Sequence, residues 1–405
     1  MADYPFIILI VSAFVSLISV HWIHPRVLKI AKSKAIVDNP NARKLQKRPV
    51  PVLGGLAVFF GLLMGTLCFS AINRGMVGSV PAFLACSVML YVGMLDDIRG
   101  LSPLSRLLIE ILAMLGMIFG SGMCVDSLHG LWGVGAFPWW IAVPLTVFAG
   151  VGLINAFNMV DGVNGLSSGL CISCSVLLAI VFYNRTDFVD CALALCFGAA
   201  LIPFLLHNVF GDKSRMFIGD AGTMVMGTLV SWFMIRVLSG QNPDLTIDTG
   251  NEPCLVALMI AIASVPVFDT LRVMTGRLFR GVSPFRADRT HLHHIFIGLG
   301  VSHSITALSE ILINLFVVAA WFIAYKCGLG INLQFYITIF VAVLLVWGTY
   351  FFLKYQETHD TKILHTLQKI SVRTHLGHKE WWLRYQARLD EGAYDSADPL
   401  EDSEE

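Results

Sequence analysis

Long apolar runs separated by short polar segments dominate the chain as far as about residue 353. Most of these runs hold about 18 or more residues, enough for a helix to cross the roughly 30 Å hydrocarbon core of a bilayer. The fold class is therefore predicted to be an all-α polytopic membrane protein with eleven transmembrane helices. The predicted spans are 4–23, 52–72, 80–95, 104–123, 139–157, 165–183, 188–207, 218–238, 254–274, 305–326 and 332–353.

The distribution of basic residues supports this count. With eleven helices, the odd-numbered loops and the segment after the last helix hold 24 of the 28 Lys and Arg residues. Because loops rich in Lys and Arg face the cytoplasm, the N-terminus is expected outside and the C-terminus in the cytoplasm. The weakest point of the prediction is the division of residues 80–123 into two helices around Asp96 and Asp97.

Composition agrees with a membrane class. Of the 405 residues, 56% are hydrophobic and 14% are charged, and the net charge is zero. A soluble protein would have about a quarter of its residues charged. The charge balance gives no reason to expect nucleic acid as a partner. The first apolar run, Tyr4 to Trp22, is predicted to be a retained helix instead of a signal peptide, because the basic cluster follows it.

The nine cysteines lie mostly within apolar runs. Cys171 and Cys174 form a C-x-x-C, but inside a predicted membrane helix and without a second pair. A redox or metal site needs such a pair or a soluble context. We therefore interpret these cysteines as small side chains at a helix interface.

Two regions are predicted, an integral membrane domain over residues 1–354 and a cytoplasmic tail over residues 355–405. In the tail, Trp381 and Trp382 lie beside Arg384 and Arg388, a pattern typical of a membrane-surface helix. An ordinary soluble appendage explains it equally well. From about residue 390 the tail is acidic and poor in apolar residues, which predicts disorder.

Five polar motifs interrupt the apolar pattern, and the predicted topology places all of them on the cytoplasmic side. They are Lys47–Gly55 (KRPVPVLGG), Asp96-Asp97, Asn155–Gly165 (NAFNMVDGVNG), Phe217–Gly222 (FIGDAG) and Ser283–His294 (SPFRADRTHLHH).

The carboxylates in these motifs each allow two interpretations. Asp96 and Asp97 are adjacent at the end of a membrane helix, where they are costly to bury and repel each other. They form either a solvated helix terminus or a functional pair with a cation nearby. Asp220, at a helix start, either caps the helix or supplies a hard oxygen ligand for Mg²⁺.

Asn158, Asp161 and Asn164 alternate with apolar residues in a short turn-forming segment. A plain connecting loop is one interpretation. Loops seldom repeat Asn, Asp and Asn in this way, however, and the pattern favours side chains that converge on a ligand.

The last motif combines His291, His293 and His294 with Arg286 and Arg289. Three imidazoles suggest a metal, but adjacent histidines on a short loop often point apart. Arg presents a planar fork to phosphate oxygens, and His can donate to them as well. Phosphate binding is therefore favoured over zinc.

Together, carboxylates suited to Mg²⁺ and basic residues suited to phosphate are the parts of a phosphoryl-transfer site. In a membrane protein they point to a reaction between a soluble nucleotide and a lipid. An ion-coupled transporter is the rival, but its acids would lie near the midplane, and no internal repeat is visible. Glu110, inside a predicted helix, is expected to pair with a neighbour or to line a lipid groove.

The five motifs, in this order over about residues 37–305, resemble those of the polyprenyl-phosphate N-acetylhexosamine-1-phosphate transferases, glycosyltransferase family 4. The chain is most similar to the WecA-type undecaprenyl-phosphate GlcNAc-1-phosphate transferases. Eleven helices fit that type, whereas the muramoyl-pentapeptide branch is expected to have one fewer. One position departs from the common pattern, because Asn164 stands where a second Asp is usual; an amide suits the uracil edge better than a metal.

The resemblance implies transfer of GlcNAc-1-phosphate from UDP-GlcNAc to undecaprenyl phosphate at the cytoplasmic face of a bacterial inner membrane, with Mg²⁺ or Mn²⁺ as cofactor. Another UDP-N-acetylhexosamine or UDP-MurNAc-pentapeptide is the alternative donor, and a homodimer is compatible. Phe217 is expected to stack on uracil and Lys47 to lie near the phosphates. The implied catalytic residues are Asp96, Asp97, Asp161 and Asp220, the metal ligands are Asp220, Asp161 and Asn158, and the substrate-binding residues are Lys47, Asn158, Asn164, Phe217, Arg286, Arg289, His291, His293 and His294.

Overall fold

Helices make up most of the described chain. The computed structural model describes residues 5–40, 46, 48–73, 75–240, 252–284, 289–359, 361–373 and 379–391. Two short strands are β1 (Val37–Asp38) and β2 (Val50–Pro51). The helices are α1 (Pro5–Ser33), α2 (Gly54–Asn73), α3 (Val80–Arg99), α4 (Pro103–Ser121), α5 (Trp139–Val160), α6 (Leu166–Asn184), α7 (Phe188–Phe210), α8 (Gly219–Leu238), α9 (Leu255–Ile262), α10 (Ser264–Phe279), α11 (Leu292–Gly298), α12 (His303–Lys326), α13 (Ile331–Ala342), α14 (Gly348–His359), α15 (Lys362–Arg373) and α16 (Glu380–Asp390).

The helices confirm an all-α polytopic membrane protein. Within the described residues, ten helical spans are long and apolar enough to cross a membrane, and the bent pair α9–α10 makes eleven if it counts as one. A π-helical turn joins α13 to α14 within one such span. The predicted division at Asp96 and Asp97 is also confirmed, because α3 ends at Arg99 and α4 begins at Pro103.

The predicted single helix over residues 254–274 is wrong, because α9 and α10 meet at 78°. Pro266 has no backbone N–H, so the carbonyl of Ile262 loses its usual helical partner. Asn314 of α12 compensates: its Nδ2 donates to Ile262 O at 2.9 Å and its Oδ1 accepts the Val265 N–H at 3.1 Å. A side chain from another helix thus satisfies the backbone at the break, as the bilayer interior requires.

The chain divides into two compact units. The first comprises Met1–Ser121, Ser175–Leu229 and Leu376–Glu405. In it, α1 packs on α2 and α7, and Ser16 Oγ of α1 donates to Gly61 O of α2 at 2.7 Å. The strands β1 and β2 pair antiparallel immediately before α2.

The second unit comprises Gly122–Cys174 and Val230–His375. Its α12 packs on α9 and α13. The start of α9 is satisfied by buried side chains, since Gln334 Oε1 accepts the Cys254 N–H at 2.8 Å and Trp321 Nε1 donates to Cys254 O at 3.2 Å. Cys171 and Cys174 are free, buried thiols in α6, as their interpretation as packing residues predicts.

The tail contains a helix that belongs to the first unit. In α16, Trp382 is 8% exposed, whereas Trp381 beside it is 53% exposed. The ring of Trp382 lies 4.4 Å from that of Phe210, the last residue of α7. The structure therefore shows a helix docked on protein through one face. The two interpretations of this segment, a membrane-surface helix and a soluble appendage, both stay predictions. The acidic residues 392–405, for which disorder was predicted, lie outside the described residues.

Candidate active site

In the first unit, the first and fourth polar motifs form one piece of structure. Phe217 N–H donates to Pro51 O at 2.8 Å, Gly54 N–H to Phe217 O at 2.9 Å and Gly55 N–H to Ile218 O at 2.8 Å. These bonds lay the segment that follows β2 alongside the segment that leads into α8. The backbone of Phe217, the predicted uracil-stacking residue, is therefore fixed from both sides.

The carboxylate of Asp97 caps α8. Its Oδ1 accepts the Asp220 N–H at 2.9 Å and its Oδ2 accepts the Ala221 N–H at 3.2 Å. The first N–H groups of a helix have no partner within it, and a carboxylate satisfies them and the positive end of the helix dipole. Asp97 thus has a capping role at this helix start, where the sequence had suggested Asp220 as the cap. Gly219 has φ +72°, and a Cβ there would lie 2.5 Å from Asp97 Oδ2.

Asp96 has different partners. Its Oδ1 accepts the Leu101 N–H at 2.6 Å, and its Oδ2 lies 3.3 Å from Arg106 Nη1. Arg106 Nε also lies 3.4 Å from Glu110 Oε1. A basic group therefore offsets the charge of the aspartate pair, and buried Glu110 pairs with a neighbour, one of its two predicted roles.

In the second unit, the third and fifth motifs meet. Asp161 follows the last residue of α5, and its Oδ1 accepts a hydrogen bond from Ser167 Oγ at 2.5 Å. Asn164 N–H donates to His303 Nδ1 at 3.3 Å. The imidazole of His293 lies so close to Gly162 that a Cβ there would be 2.2 Å from Nε2. Asn158 lies on the last turn of α5, three residues before Asp161.

Asp269 of α10 holds the histidine segment, and sequence reasoning missed it. Its Oδ1 lies 2.7 Å from Arg272 Nη2 and accepts the Leu292 N–H at 3.1 Å, while its Oδ2 lies 2.7 Å from His291 Nδ1. The carboxylate is 1% exposed. An acid and an arginine three residues apart inside an apolar run were the available signal, because such charges are costly in a membrane and mark functional sites.

The three histidines differ in environment. His291 and His293 are buried, and the ring of His293 lies 5.7 Å from that of His291 and 4.3 Å from that of His294. Burial, and then the neighbouring imidazoles, hold the pKa of His293 well below its usual value. His293 is therefore neutral at pH 7 and offers a substrate one donor and no charge.

Two predicted site residues, Lys47 and Arg286, lie outside the described residues, and Arg289 is exposed. The others fall into two sets. The first unit holds Asp96, Asp97, Phe217 and Asp220, and the second holds Asn158, Asp161, Asn164, Arg289, His291, His293 and His294.

The donor atoms fit Mg²⁺ in kind. Asp97 and Asp220 place two carboxylates at the start of α8, while Asp161 and Asn158 offer a carboxylate and an amide oxygen. Within the described residues, no group of three or more His, Cys, Asp or Glu side chains is arranged as a metal cage. Mg²⁺ does not need one, since it usually keeps several waters and takes one or two carboxylates plus substrate phosphates.

Comparison with known proteins agrees with these motifs. The model of glycosyl transferase family 4 matches residues 79–238, which include the second, third and fourth motifs. The undecaprenyl-phosphate alpha-N-acetylglucosaminyl 1-phosphate transferase of Escherichia coli (strain K12) is 32% identical over 286 residues, 67% of this chain and 72% of that protein.

Two further relatives extend the match. The probable undecaprenyl-phosphate N-acetylglucosaminyl 1-phosphate transferase of Bacillus subtilis (strain 168) is 30% identical over 78% of this chain and 84% of its own length. The Salmonella typhi relative, named like that of Escherichia coli, is 26% identical over 85% of this chain and 90% of its own. With its helices, its motifs and these alignments in agreement, the chain belongs to glycosyl transferase family 4.

Proposed function

We propose that the protein transfers N-acetylglucosamine-1-phosphate from UDP-GlcNAc to undecaprenyl phosphate, giving GlcNAc-pyrophosphoryl-undecaprenol and UMP. The observation that carries the proposal is the start of α8, where Asp97 from one motif fixes the backbone of Asp220 from another. The names of the Escherichia coli and Bacillus subtilis relatives support the choice of sugar and lipid.

In this reaction an oxygen of the lipid phosphate attacks the β-phosphorus of the nucleotide. The bond between the β-phosphorus and the bridging oxygen breaks, and that oxygen leaves with UMP. A phosphate monoester has its second pKa at about 6, so the lipid phosphate is largely dianionic at pH 7. Because the attacking oxygen already carries charge, a strong base is unnecessary. Asp96 and Asp97 then serve mainly to position other groups.

Each half of the site supplies a separate part of the chemistry. In the first unit, Asp97 fixes Asp220, which would offer a carboxylate to Mg²⁺. In the second unit, Asp161 and Asn158 would offer a carboxylate and an amide oxygen. When bound, Mg²⁺ neutralises the charge of the pyrophosphate and of the departing UMP. Asp269 orients His291, which with Arg289 is assigned to the sugar and phosphates.

The reaction is assigned to the cytoplasmic face of the bacterial inner membrane. The support is the distribution of Lys and Arg, which are concentrated in the loops that carry the five motifs. A UDP-sugar is a soluble cytoplasmic metabolite, whereas the acceptor stays in the bilayer. The product is a first lipid-linked intermediate for a cell-surface polysaccharide such as O-antigen.

The proposal is tested in membranes that contain the full chain, polyprenyl phosphate and one radiolabelled UDP-sugar at a time, with and without Mg²⁺. We expect label in the lipid fraction and released UMP with UDP-GlcNAc and Mg²⁺. Asp220→Asn should lose most of this transfer. Asp187→Asn is the control, because it makes the same change at an acid beside another helix start, where Asp187 accepts the Asp190 N–H of α7 at 3.2 Å.

Each other outcome has a defined meaning. Label with UDP-GalNAc or UDP-MurNAc-pentapeptide in place of UDP-GlcNAc would change the assigned sugar and keep the reaction. Transfer that is indifferent to Mg²⁺ and other divalent cations would remove the metal from the proposal. No lipid label with any of the sugars would refute the transferase assignment.

A further inference from the structure

The helix α16 is docked on the segment that connects α7 to α8. Trp382 and Tyr385 place their rings 4.4 Å and 5.3 Å from the ring of Phe210. Phe210 is the last residue of α7, so this aromatic cluster lies where the connecting segment begins. The ring of Trp381 lies farther away, 6.4 Å from that of Phe210, and this side chain stays 53% exposed at the edge of the contact.

Asp390, the last residue of α16, binds the connecting segment directly. Its Oδ1 accepts the Ser214 N–H at 2.8 Å, and both of its oxygens lie 3.3 Å from the Asp212 nitrogen. The side chain is buried, 5% exposed, and the Arg215 guanidinium interacts electrostatically with it.

A carboxylate at the C-terminal end of a helix meets the negative end of the helix dipole. Burying it there is unfavourable unless it is hydrogen-bonded. The two backbone donors of the connecting segment, at Asp212 and Ser214, supply that compensation. The hydrogen bonds to the connecting segment therefore explain the position of Asp390, whereas a contribution to the stability of α16 itself does not.

The same segment is tied to α1 and α7 and leads directly into the candidate site. His24 Nε2 lies 3.0 Å from Ser214 O, and Asn208 Nδ2 donates to Met216 O at 3.0 Å. Phe217 follows immediately. Residues 212–216 thus form a short bridge with one end held by α16 and the other joined to the residue assigned to the uracil.

We propose that α16 is a positioning element of the donor-binding half of the site, in which Asp390 and Trp382 fix residues 212–216 and through them Phe217. The inference rests on the proposed function, since the placement of Phe217 matters for catalysis only if the donor carries a base. Asp220 has its own anchor in Asp97. Release of α16 should therefore disturb donor binding more than the chemical step.

The test uses the full chain with Asp390→Ala or Trp382→Ala. Removing Asp390 leaves the backbone N–H groups of Asp212 and Ser214 without this acceptor, which is unfavourable for buried groups. We expect the KM for UDP-GlcNAc to rise about tenfold, which corresponds to about 1.4 kcal/mol. The kcat per folded enzyme and the KM for the lipid should stay near the wild-type values.

Matched controls lie next to each residue. Leu383→Ala removes a side chain that is 51% exposed, and Glu391→Ala removes an exposed acid. Both should leave the KM for UDP-GlcNAc unchanged. Asp390→Asn, which keeps one acceptor oxygen, should fall between the wild type and Asp390→Ala. The double variant Trp382→Ala/Asp390→Ala should be no worse than the more damaging single variant, because both act by releasing the same helix.

Docking is measured separately by trypsin cleavage of α16 at Arg384 and Arg388 in intact membranes. Cleavage should be faster in Asp390→Ala and Trp382→Ala than in the wild type. Faster cleavage with an unchanged KM for the donor would overturn the inference, as would unchanged cleavage. A wild-type chain that transfers no sugar would refute the proposed function instead, and that result is distinct from either of these.

Discussion

Gly219→Ala tests how the start of α8 is built without removing any charged group. The added Cβ would lie 2.5 Å from Asp97 Oδ2 and 2.9 Å from Val52 Cγ2. The carboxylate would have to move, and with it the hydrogen bonds to the N–H groups of Asp220 and Ala221. The substitution therefore disturbs the hydrogen bonds between the two motifs without changing the charge of either one.

Two costs contribute to the effect. A left-handed φ costs a residue with a Cβ about 1–2 kcal/mol relative to glycine. A hydrogen bond to a charged acceptor contributes about 1.5–3 kcal/mol, and the displaced carboxylate loses at least one. The first cost lowers the stability of the protein, whereas the second also changes the position of Asp220.

Gly122→Ala is the matched control, because Gly122 has φ +70° and no atom within 4 Å of its Cβ position. Gly122→Ala therefore has the cost of a left-handed φ without a steric collision of the added Cβ. The difference between the two variants isolates the contacts of the added Cβ with Asp97 and Val52. We expect Gly219→Ala to have a kcat/KM lower than that of Gly122→Ala by about 10- to 150-fold, the equivalent of about 1.5–3 kcal/mol.

The assay is transfer of labelled sugar to lipid at saturating Mg²⁺, with the amount of folded protein and its Tm measured for each variant. In an Asp97→Ala background, Gly219→Ala should cost less activity than in the wild type, because the collision with Asp97 is absent and only the contact with Val52 and the backbone strain remain. If Gly219→Ala were as active as Gly122→Ala, Asp97 would not position Asp220 in the way that its hydrogen bonds indicate.

Three further predictions concern the second unit. Asp269→Ala should lower the stability by about 3–5 kcal/mol, because Arg272 stays buried without its carboxylate, and the Tm in detergent measures this. Asn314→Ala should lower the Tm through the loss of the donor to Ile262 O, a cost of about 1–3 kcal/mol. His293→Gln should flatten the fall in Tm from pH 7 to pH 5: the pKa of folded His293 lies below its value of about 6.5 in the unfolded chain, so protonation favours unfolding.

Each of these has an internal comparison. Leu271→Ala removes an exposed side chain two residues from Asp269 and should leave the Tm unchanged. A Tm for Asp269→Ala equal to that of Leu271→Ala would contradict the buried network. Asn314→Asp keeps the acceptor for Val265 N–H and loses the donor, so it should fall below the wild type. Parallel Tm profiles for His293→Gln and the wild type would show that His293 does not resist protonation.

Helix placement could be predicted from the sequence because a membrane imposes length and hydropathy on each segment separately. The turn between α3 and α4 is a case in point, since three charges, Asp96, Asp97 and Arg99, and a glycine interrupt an otherwise apolar stretch. The bend between α9 and α10 could not be predicted in the same way. Pro266 was visible, but whether a proline bends a helix depends on what satisfies the freed carbonyl, here Asn314, far along the chain.

The candidate site shows the same division between residue type and placement. The motifs identify Asp97 and Asp220 as candidate site residues. They do not reveal that Asp97 caps α8, the helix on which Asp220 lies. Asp269 is not among the residues predicted for the site, because a single acid changes the mean hydropathy of a long apolar window very little. The sequence analysis places Asp390 in a polar tail. Its position at the end of a helix that carries aromatic residues indicates docking on the protein.

The pairing of residues 51–55 with residues 217–218 also has a consequence for biosynthesis. Residues 217–218 come more than a hundred residues after both Asp97 and residues 51–55, and the bond from Ser214 to Asp390 spans 176 residues. Most of the membrane helices must therefore be synthesised and inserted before the first part of the site can assemble. Misassembled intermediates would be inserted in the bilayer yet inactive. Variants that slow this late closure should thus reduce the yield of active enzyme without reducing the amount of inserted protein.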